Sequence, residues 1–330
     1  MTILVCGAGG FIGGHIVKRL IKEGNKVRAV DIKDIDKWFQ LHEEAENISL
    51  DLKDSNNCFN VLENCDSVIN LACNMGGMGF IQSYKAECMI SVLINTNLLI
   101  NCKKLGIKDY YFSSSACVYN QDKQSNSFVS GLKETDAYPA YPEDGYGWEK
   151  LFSERMCNHF NEDFKFNCKI ARYHNIYGPE GTFDGGREKA PAAICRKIAK
   201  AKMNNTKKIE IWGDGEQTRS FLYIDDCVDA TLQLVRSDYN FPINIGSEEQ
   251  VSINQMVDII EEIADYKVER KYIKGPLGVR GRNSNNDLIE GVLKWKPNHN
   301  LKMGLKNTYN WIYKTLKENK NSEIKKFRYF

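Results

Sequence analysis

The apolar positions of this chain change period as it proceeds. Residues 2–6, TILVC, form a nearly continuous apolar run of strand length. GAGGFIGG follows at once, and from Phe11 to Glu23 apolar residues recur at 12, 16, 17, 20 and 21, the spacing of one helix face. Gly24 stops that helix, and KVRAVD reads as a second buried strand. The alternation continues. SVINLA (67–72), DYYFSSS (109–115) and FNCKIAR (166–172) read as strands, with helices predicted over 81–105 and 147–163. Apolar strands separated by amphipathic helices predict an α/β protein built on a parallel sheet covered on both faces.

After about residue 178 the texture changes. Glycine, proline and charge rise through GPEGTFDGGREKAP, and INIGSEEQVSINQMVDIIEEIA then reads as a strand, a loop and a helix. The expected organisation is a nucleotide-binding domain over 1–175, with segments near 220–247 returning to it. Residues 176–330 mainly form a smaller α/β substrate-binding domain. A chain of 330 residues suffices for both.

Composition narrows the function classes. Apolar residues make up 42% of the chain and the formal net charge is +2, which gives no footprint for nucleic acid and no polybasic membrane patch. The basic stretch Lys314–Lys326 reads as a solvated helix end. The 11 cysteines are irregularly spaced with no C-x-x-C pair, so neither a disulfide framework nor a metal site is expected. Cys6, Cys65, Cys73 and Cys102 stand in apolar runs and suit buried thiols of a reducing compartment. With no signal-peptide pattern and no run of 18 apolar residues, the expected location is the cytoplasm.

Gly7, Gly10 and Gly13 form G-x-x-G-x-x-G directly after a strand and before a helix. Glycines there permit a tight turn, and the helix start at Phe11 and Ile12 offers N–H groups to a pyrophosphate. Asp31 ends the second strand, where a carboxylate accepts hydrogen bonds from an adenosine ribose and repels a 2′-phosphate. This pattern predicts a Rossmann-type doubly wound sheet and favours NAD over NADP. Asp51 and Leu52 follow another short strand and are placed beside the adenine. Glycines serving packing alone are the bland alternative.

Tyr146 and Lys150 form Y-x-x-x-K, and i and i+4 share a helix face. The ammonium can then lower the phenol's pKa, so that tyrosine takes a proton from a sugar hydroxyl while hydride leaves for NAD. Ser115, at a strand end 31 residues upstream, supplies a third group. Ser, Tyr and Lys in this order behind a glycine-rich βαβ unit resemble the extended short-chain dehydrogenase/reductase family, along nearly the whole chain. NMGGMGFIQS, SSACVY, YGWEKL, RYHNIYGPEGTFDGGREKAPAA, IWGDGEQTRSF and GVRGRNSNN are similar to that family's GDP-sugar 3,5-epimerases.

That resemblance implies an activity. NAD oxidises C4 of GDP-mannose with Tyr146, Ser115 and Lys150, and the ketone acidifies the C3 and C5 protons. Cys117, as a thiolate, and Lys189 exchange those protons on opposite faces, and C4 is reduced again, giving GDP-L-galactose or GDP-L-gulose. Related dehydratases carry glutamate where Cys117 stands, which argues against elimination. Substrate contacts are implied for Gly76, Ser115, Ala116, Cys117, Asn175, Glu188, Lys189 and Ala190. Lys197, Arg219 and Arg280 are implied to face the diphosphate, with Gln217 and Thr218 nearby and Arg282 sharing that work.

The residues taken alone allow plainer readings. A cysteine after a strand is more often core than catalyst, and Lys189 alone would be a surface lysine. His174 reads as a packing or pocket-wall residue. Asn74 departs from the acidic residue of the family pattern, and 81–105 diverges from it. A C4 dehydrogenase, or a 3,5-epimerase of another GDP-sugar such as a GDP-heptose, is therefore the alternative, with a non-catalytic NAD-binding scaffold behind both. The family also implies a homodimer through the helices at 81–105 and 147–163.

Overall fold

The structure, a computed structural model, describes residues 1–327, with side chains through Asn319. Strand β1 (Thr2–Cys6) leads through the glycine turn into helix α1 (Phe11–Lys22) and back to β2 (Lys26–Asp31). β3 (Glu46–Ser49), α2 (Ser55–Leu62) and β4 (Ser67–Asn70) follow. Then come α3 (Met78–Ser83), α4 (Lys85–Ile90), α5 (Val92–Leu105), β5 (Asp109–Ser115), α6 (Asp144–Phe164) and β6 (Asn167–Tyr173). The remainder runs β7 (Ile176–Tyr177), α7 (Ala190–Met203), β8 (Lys208–Trp212), β9 (Thr218–Ser220), β10 (Leu222–Tyr223), α8 (Ile224–Val235) and β11 (Pro242–Ile245). It ends with β12 (Gln250–Ser252), α9 (Ile253–Ala264), β13 (Glu269–Ile273), β14 (Gly281–Arg282), α10 (Asp287–Leu293) and α11 (Leu301–Phe327).

Seven strands form one parallel sheet in the order β11-β6-β5-β4-β1-β2-β3. The strand order reverses between β1 and β4, and a crevice opens at the carboxyl ends of strands at such a reversal. The run TILVC shows why the strands read as continuously apolar. Ile3 and Val5 join the core under α1, α7, α8 and α9, while Leu4 and Cys6 join the core under α2, α5 and α6. Both faces are covered, so both parities must be apolar. β11 returns from the second half to pair with β6 through Pro242↔Ile170 and Ile245↔Tyr173. The other late strands form small sheets: β8 with β13, β7 with β10, and β12-β9-β14.

Two predicted elements differ. The single helix expected over 81–105 is three, broken at Tyr84 (φ −125°, ψ 50°) and at Ser91, with α3 beginning earlier, at Met78. Ser91 turns its hydroxyl to accept the Asn74 N–H at 2.8 Å, a contact made at the break. The strand SVINLA stops at Asn70, whose side-chain oxygen accepts the Ala72 N–H at 3.1 Å and turns the chain out of the sheet. Part of the stretch Lys314–Lys326, its side chains beyond Asn319, lies outside the described residues; its backbone belongs to α11. Among the described residues no helix is long and apolar enough to cross a membrane.

Candidate active site

The crevice at the β1/β4 reversal is a cleft of about 640 Å³. Its cofactor end is built from the first βαβ unit. Gly7 has φ +79° and Gly13 lies where a Cβ would be 2.1 Å from the Gly7 carbonyl oxygen, so the turn accepts no side chain there. Gly10 caps α1 without a side-chain hydrogen bond, which leaves the first N–H groups of the helix free for an anion. Phe11 and Ile12 line the same wall. Asp31 is buried at the end of β2, accepts the Lys33 N–H at 3.0 Å and lines the cleft with Asp51 and Leu52.

The chemical end is assembled from β5, α6 and the segment before α7. Ser115 closes β5, and its hydroxyl accepts the Cys117 N–H at 3.2 Å, capping a short turn over Ala116–Val118. Tyr146, on the first turn of α6, lies within hydrogen-bond reach of Ser115. Ser115, Tyr146 and Lys189 all line the cleft, and so does Gly76. Lys150 lies one turn below Tyr146, fully buried, 3.6 Å from the Glu149 carboxylate, and its ammonium has no hydrogen-bond partner of good geometry. An orphaned buried ammonium beside a pocket suits a ribose hydroxyl. Together with the bare start of α1 and the side-chain-free turn, it fits a dinucleotide.

Burial sets the charge states of the resting site. Burial, with Cys73, Cys117 and Glu149 nearby, pushes the Tyr146 phenol well above its ordinary range. Burial works against the Lys150 ammonium, but Cys73 and Glu149 outweigh it and raise its pKa. Burial, and then the charge of Glu143, push the Cys117 thiol up to about 11, against the opposing pull of Arg282. The resting group is therefore the thiol. Burial lowers the Lys189 ammonium, with Arg282 adding to it and Cys117 opposing. Lys189, at the cap of α7, thus lies close enough to Cys117 to feel its charge.

The remaining predicted residues are placed less uniformly. Ala116 and Cys117 are buried in the turn beside the cleft. Asn175, at φ 44°, donates to the Ser220 carbonyl at 3.0 Å. Glu188 accepts from Gly186 N–H and Arg196, both at 2.7 Å, and Ala190 opens α7. Lys197 donates to the Glu210 carbonyl, Gln217 to the Trp212 carbonyl, and Thr218 to the Ser127 carbonyl. Arg219, half-buried, donates to the carbonyls of Thr218, Leu277 and Val279, where desolvation and then Arg282 bring it down to about 10.

Arg280 is not brought to the site. It forms a two-pronged pair with Asp214 at 2.8 and 2.9 Å, on the surface. Arg282 is the arginine that turns inward. Its Nε donates to Gln124 at 2.6 Å, one Nη stands 3.6 Å from the Cys117 sulfur, and the other 3.1 Å from the Glu143 carboxylate. Glu143 was not anticipated at all. Its backbone N–H donates to the Cys117 carbonyl at 2.9 Å, which seats it beside the turn. His174 is fully buried and shares a 2.9 Å hydrogen bond with Asn244, in the core rather than the cleft.

Two loops meet along the cleft wall. Arg187 donates to the Asn74 side chain at 3.0 Å and the Met75 carbonyl at 3.2 Å, and lies 3.9 Å over the Phe80 ring. The Arg187 carbonyl in turn accepts the Gly77 N–H at 3.0 Å. Among the described residues no cluster of His, Cys, Asp and Glu is arranged to hold a metal ion.

Comparison with known proteins agrees with this geometry. Residues 3–246 match the NAD dependent epimerase/dehydratase family. A GDP-mannose 3,5-epimerase of Arabidopsis thaliana is 47% identical over 97% of this chain and 84% of its own. GDP-mannose 3,5-epimerase 1 of Oryza sativa subsp. indica is 46% identical over 98% and 85%. Among solved structures, UDP-glucose 4-epimerase of Thermotoga maritima with UDP-glucose superposes with a TM-score of 0.86 at 27% identity, covering 96% of this chain and all of that one. UDP-glucuronic acid 4-epimerase of Bacillus cereus, in complex with UDP-glucuronic acid and NAD, gives 0.81 at 25%, covering 96% and 100%. A side-chain-free glycine turn at the strand reversal, a cleft end lined by Ser115 and Tyr146 with Lys150 one helix turn below, and a family match over 3–246 lead to one statement: this chain belongs to the NAD dependent epimerase/dehydratase family.

Proposed function

We propose that the chain epimerises GDP-mannose at C3 and C5 with NAD as a recycled cofactor. The observation that carries the reading is the grouping of Cys117 and Lys189 beside Tyr146. Two proton-exchanging groups from different walls, the turn after β5 and the start of α7, stand next to an oxidation site. When bound, NAD supplies the removal and return of hydride at C4. Gly7, Gly10, Gly13 and the start of α1 would hold its pyrophosphate, Asp31 the adenosine ribose, and Lys150 the nicotinamide ribose.

The chain's own groups do the rest. Tyr146, oriented by Ser115, takes the C4 hydroxyl proton and returns it. Cys117 and Lys189 each give or take one carbon-bound proton next to the C4 ketone, so a proton can leave one face and return to the other. Arg282, buried beside Cys117, and Arg219, half-buried nearby, are answered by the one carboxylate of Glu143 and leave an excess of positive charge that suits a nucleotide diphosphate. The narrow cleft keeps water from the ketone.

Two further parts of the reading rest on surface and thiol chemistry. Met89, Leu93, Trp148 and Phe152, on α4, α5 and α6, are each more than two-fifths exposed, and this apolar face suits a second copy of the chain. Eleven free cysteines suit the cytoplasm.

The test is incubation with GDP-mannose and catalytic NAD in D2O, followed by NMR and mass spectrometry of the sugar. Deuterium at C3 and C5 with an isomer of the starting mass, apart from the exchanged deuterium, is the expected result. Loss of two hydrogens would mean a C4 dehydrogenase, and loss of water a dehydratase. Exchange only with another GDP-sugar would keep the chemistry and replace the substrate.

A further inference from the structure

The mechanism above uses Cys117 and leaves its nearest carboxylate without a task. Glu143 is buried at the cap of α6, and neither of its oxygens has a hydrogen-bond partner of good geometry. A carboxylate in that state is costly unless something answers it. Two groups do. Arg282 stands 3.1 Å away as a cation, and the Cys117 sulfur lies 3.6 Å from the neighbouring nitrogen of the same guanidinium, close enough to Glu143 for each to shift the other's ionisation. Arg282 is itself fixed by Gln124 at 2.6 Å, so the guanidinium serves as a rigid plate with the sulfur and the carboxylate on neighbouring nitrogens. The Glu143 N–H to the Cys117 carbonyl fixes the two backbones to each other as well.

We propose that Glu143 is a positioning residue for Cys117: held by Arg282, its carboxylate takes the hydrogen bond of the thiol, aims the sulfur and keeps Cys117 in its protonated form until the sugar is seated. The role in catalysis rests on the epimerase reading; the pairing of thiol and carboxylate does not. The charged and titratable groups around the sulfur come from four further elements. They are Tyr146 on α6, Lys189 at the cap of α7, Arg219 on β9 and Arg282 on β14. Three of these groups can be cationic and favour a thiolate. Glu143 is the one anionic group among them and opposes it.

Burial works against ionisation of Glu143, but Arg282 and the thiol outweigh it and hold the carboxyl below the usual carboxylate range. It is thus charged throughout the neutral range, where its influence on the sulfur is greatest. A thiol so held has a proton ready for a carbanion strong enough to take it, and it accepts one only after losing its own. Glu143 therefore sets the pH at which Cys117 can act as the acceptor.

The test titrates the sulfur directly. Thiolate absorbance near 240 nm is recorded against pH for the intact protein and for Glu143→Gln, each as a difference from the same protein carrying Cys117→Ser. The midpoint is expected to fall by about one pH unit or more in Glu143→Gln, the size of effect a like charge at this range exerts. Glu143→Asp is expected to restore most of it. With GDP-mannose, the acid limb of carbon–deuterium exchange should move by the same amount, while NADH formation from C4 oxidation persists. An unchanged Cys117 midpoint in folded Glu143→Gln overturns the inference. The absorbance titration uses no sugar, so a shifted midpoint without any exchange of GDP-mannose would retain the pairing and remove the epimerase reading instead.

Discussion

Arg282 holds one guanidinium nitrogen 3.6 Å from the sulfur of Cys117, across 165 residues of sequence. The same side chain neutralises Glu143 at 3.1 Å, with both partners almost fully buried. Removing the cation would strand the carboxylate. Arg282→Ala is expected to cost about 3–5 kcal/mol of stability, as breaking buried pairs does. Combining it with Glu143→Gln should recover part of that loss. Urea unfolding of the two variants checks this, and equal instability in both would contradict it.

Gly13 carries the tightest constraint of the cofactor turn. A methyl group there would lie 2.1 Å from the Gly7 carbonyl oxygen and 2.8 Å from the Ala8 Cα, both backbone atoms. Gly13→Ala must displace the turn and is expected to weaken NAD binding by tenfold or more, with about 1–3 kcal/mol of destabilisation from overpacking. Calorimetric titration with NAD measures the first and thermal unfolding the second.

Asp31 is buried at the end of β2 and lines the cleft, and the proposed function gives it the adenosine ribose. A hydrogen bond to a charged group contributes about 1.5–3 kcal/mol, so Asp31→Ala should raise the Kd for NAD roughly 10- to 100-fold. The preference for NAD over NADP should shrink at the same time. Affinity for both nucleotides, measured side by side, decides it.

These cofactor groups were readable because local backbone chemistry dictates them: a strand, a turn that excludes side chains, and a carboxylate at the next strand's end. The Tyr146 and Lys150 pair was readable from helical spacing in the same way. Glu143, and which arginine of GVRGR turns inward, were not. β14 is two residues long, so strand alternation could not decide which arginine of GVRGR faces inward. Glu143 meets Cys117 only through the long return of the chain from β5 to α6, which no local pattern reports. The break at Tyr84 was hidden too, because apolar residues continue through it without glycine or proline.

His174 gives the fold an acid sensitivity. Burial pushes its imidazole down to about 3, while the unfolded chain titrates at its ordinary value near 6.5. Between those values the unfolded state binds the extra proton, so stability is full above about pH 6.5 and falls as pH drops towards 3. The slope attributable to this group is at most about 1.4 kcal/mol per pH unit. Urea unfolding at pH 7, 6 and 5 should show the decline, and His174→Gln should flatten it. A variant as pH-dependent as the parent would assign the effect elsewhere.

The exposed apolar side chains of α4, α5 and α6 make a prediction about assembly. Phe152 is 54% exposed and Trp148 44%, one turn apart on α6. Phe152→Glu should convert a dimer to monomers in sedimentation analysis at micromolar concentration. A parent protein that already sediments as a monomer would remove the proposed second copy.

Arg187 ties the loop after β4 to the segment that carries Lys189. The cleft is therefore fastened by a hasp. Under the proposed reading, parting of the Arg187 contacts would carry Lys189, two residues along, away from Cys117 in the same step. Release of a sugar and withdrawal of its proton partner would then be coupled.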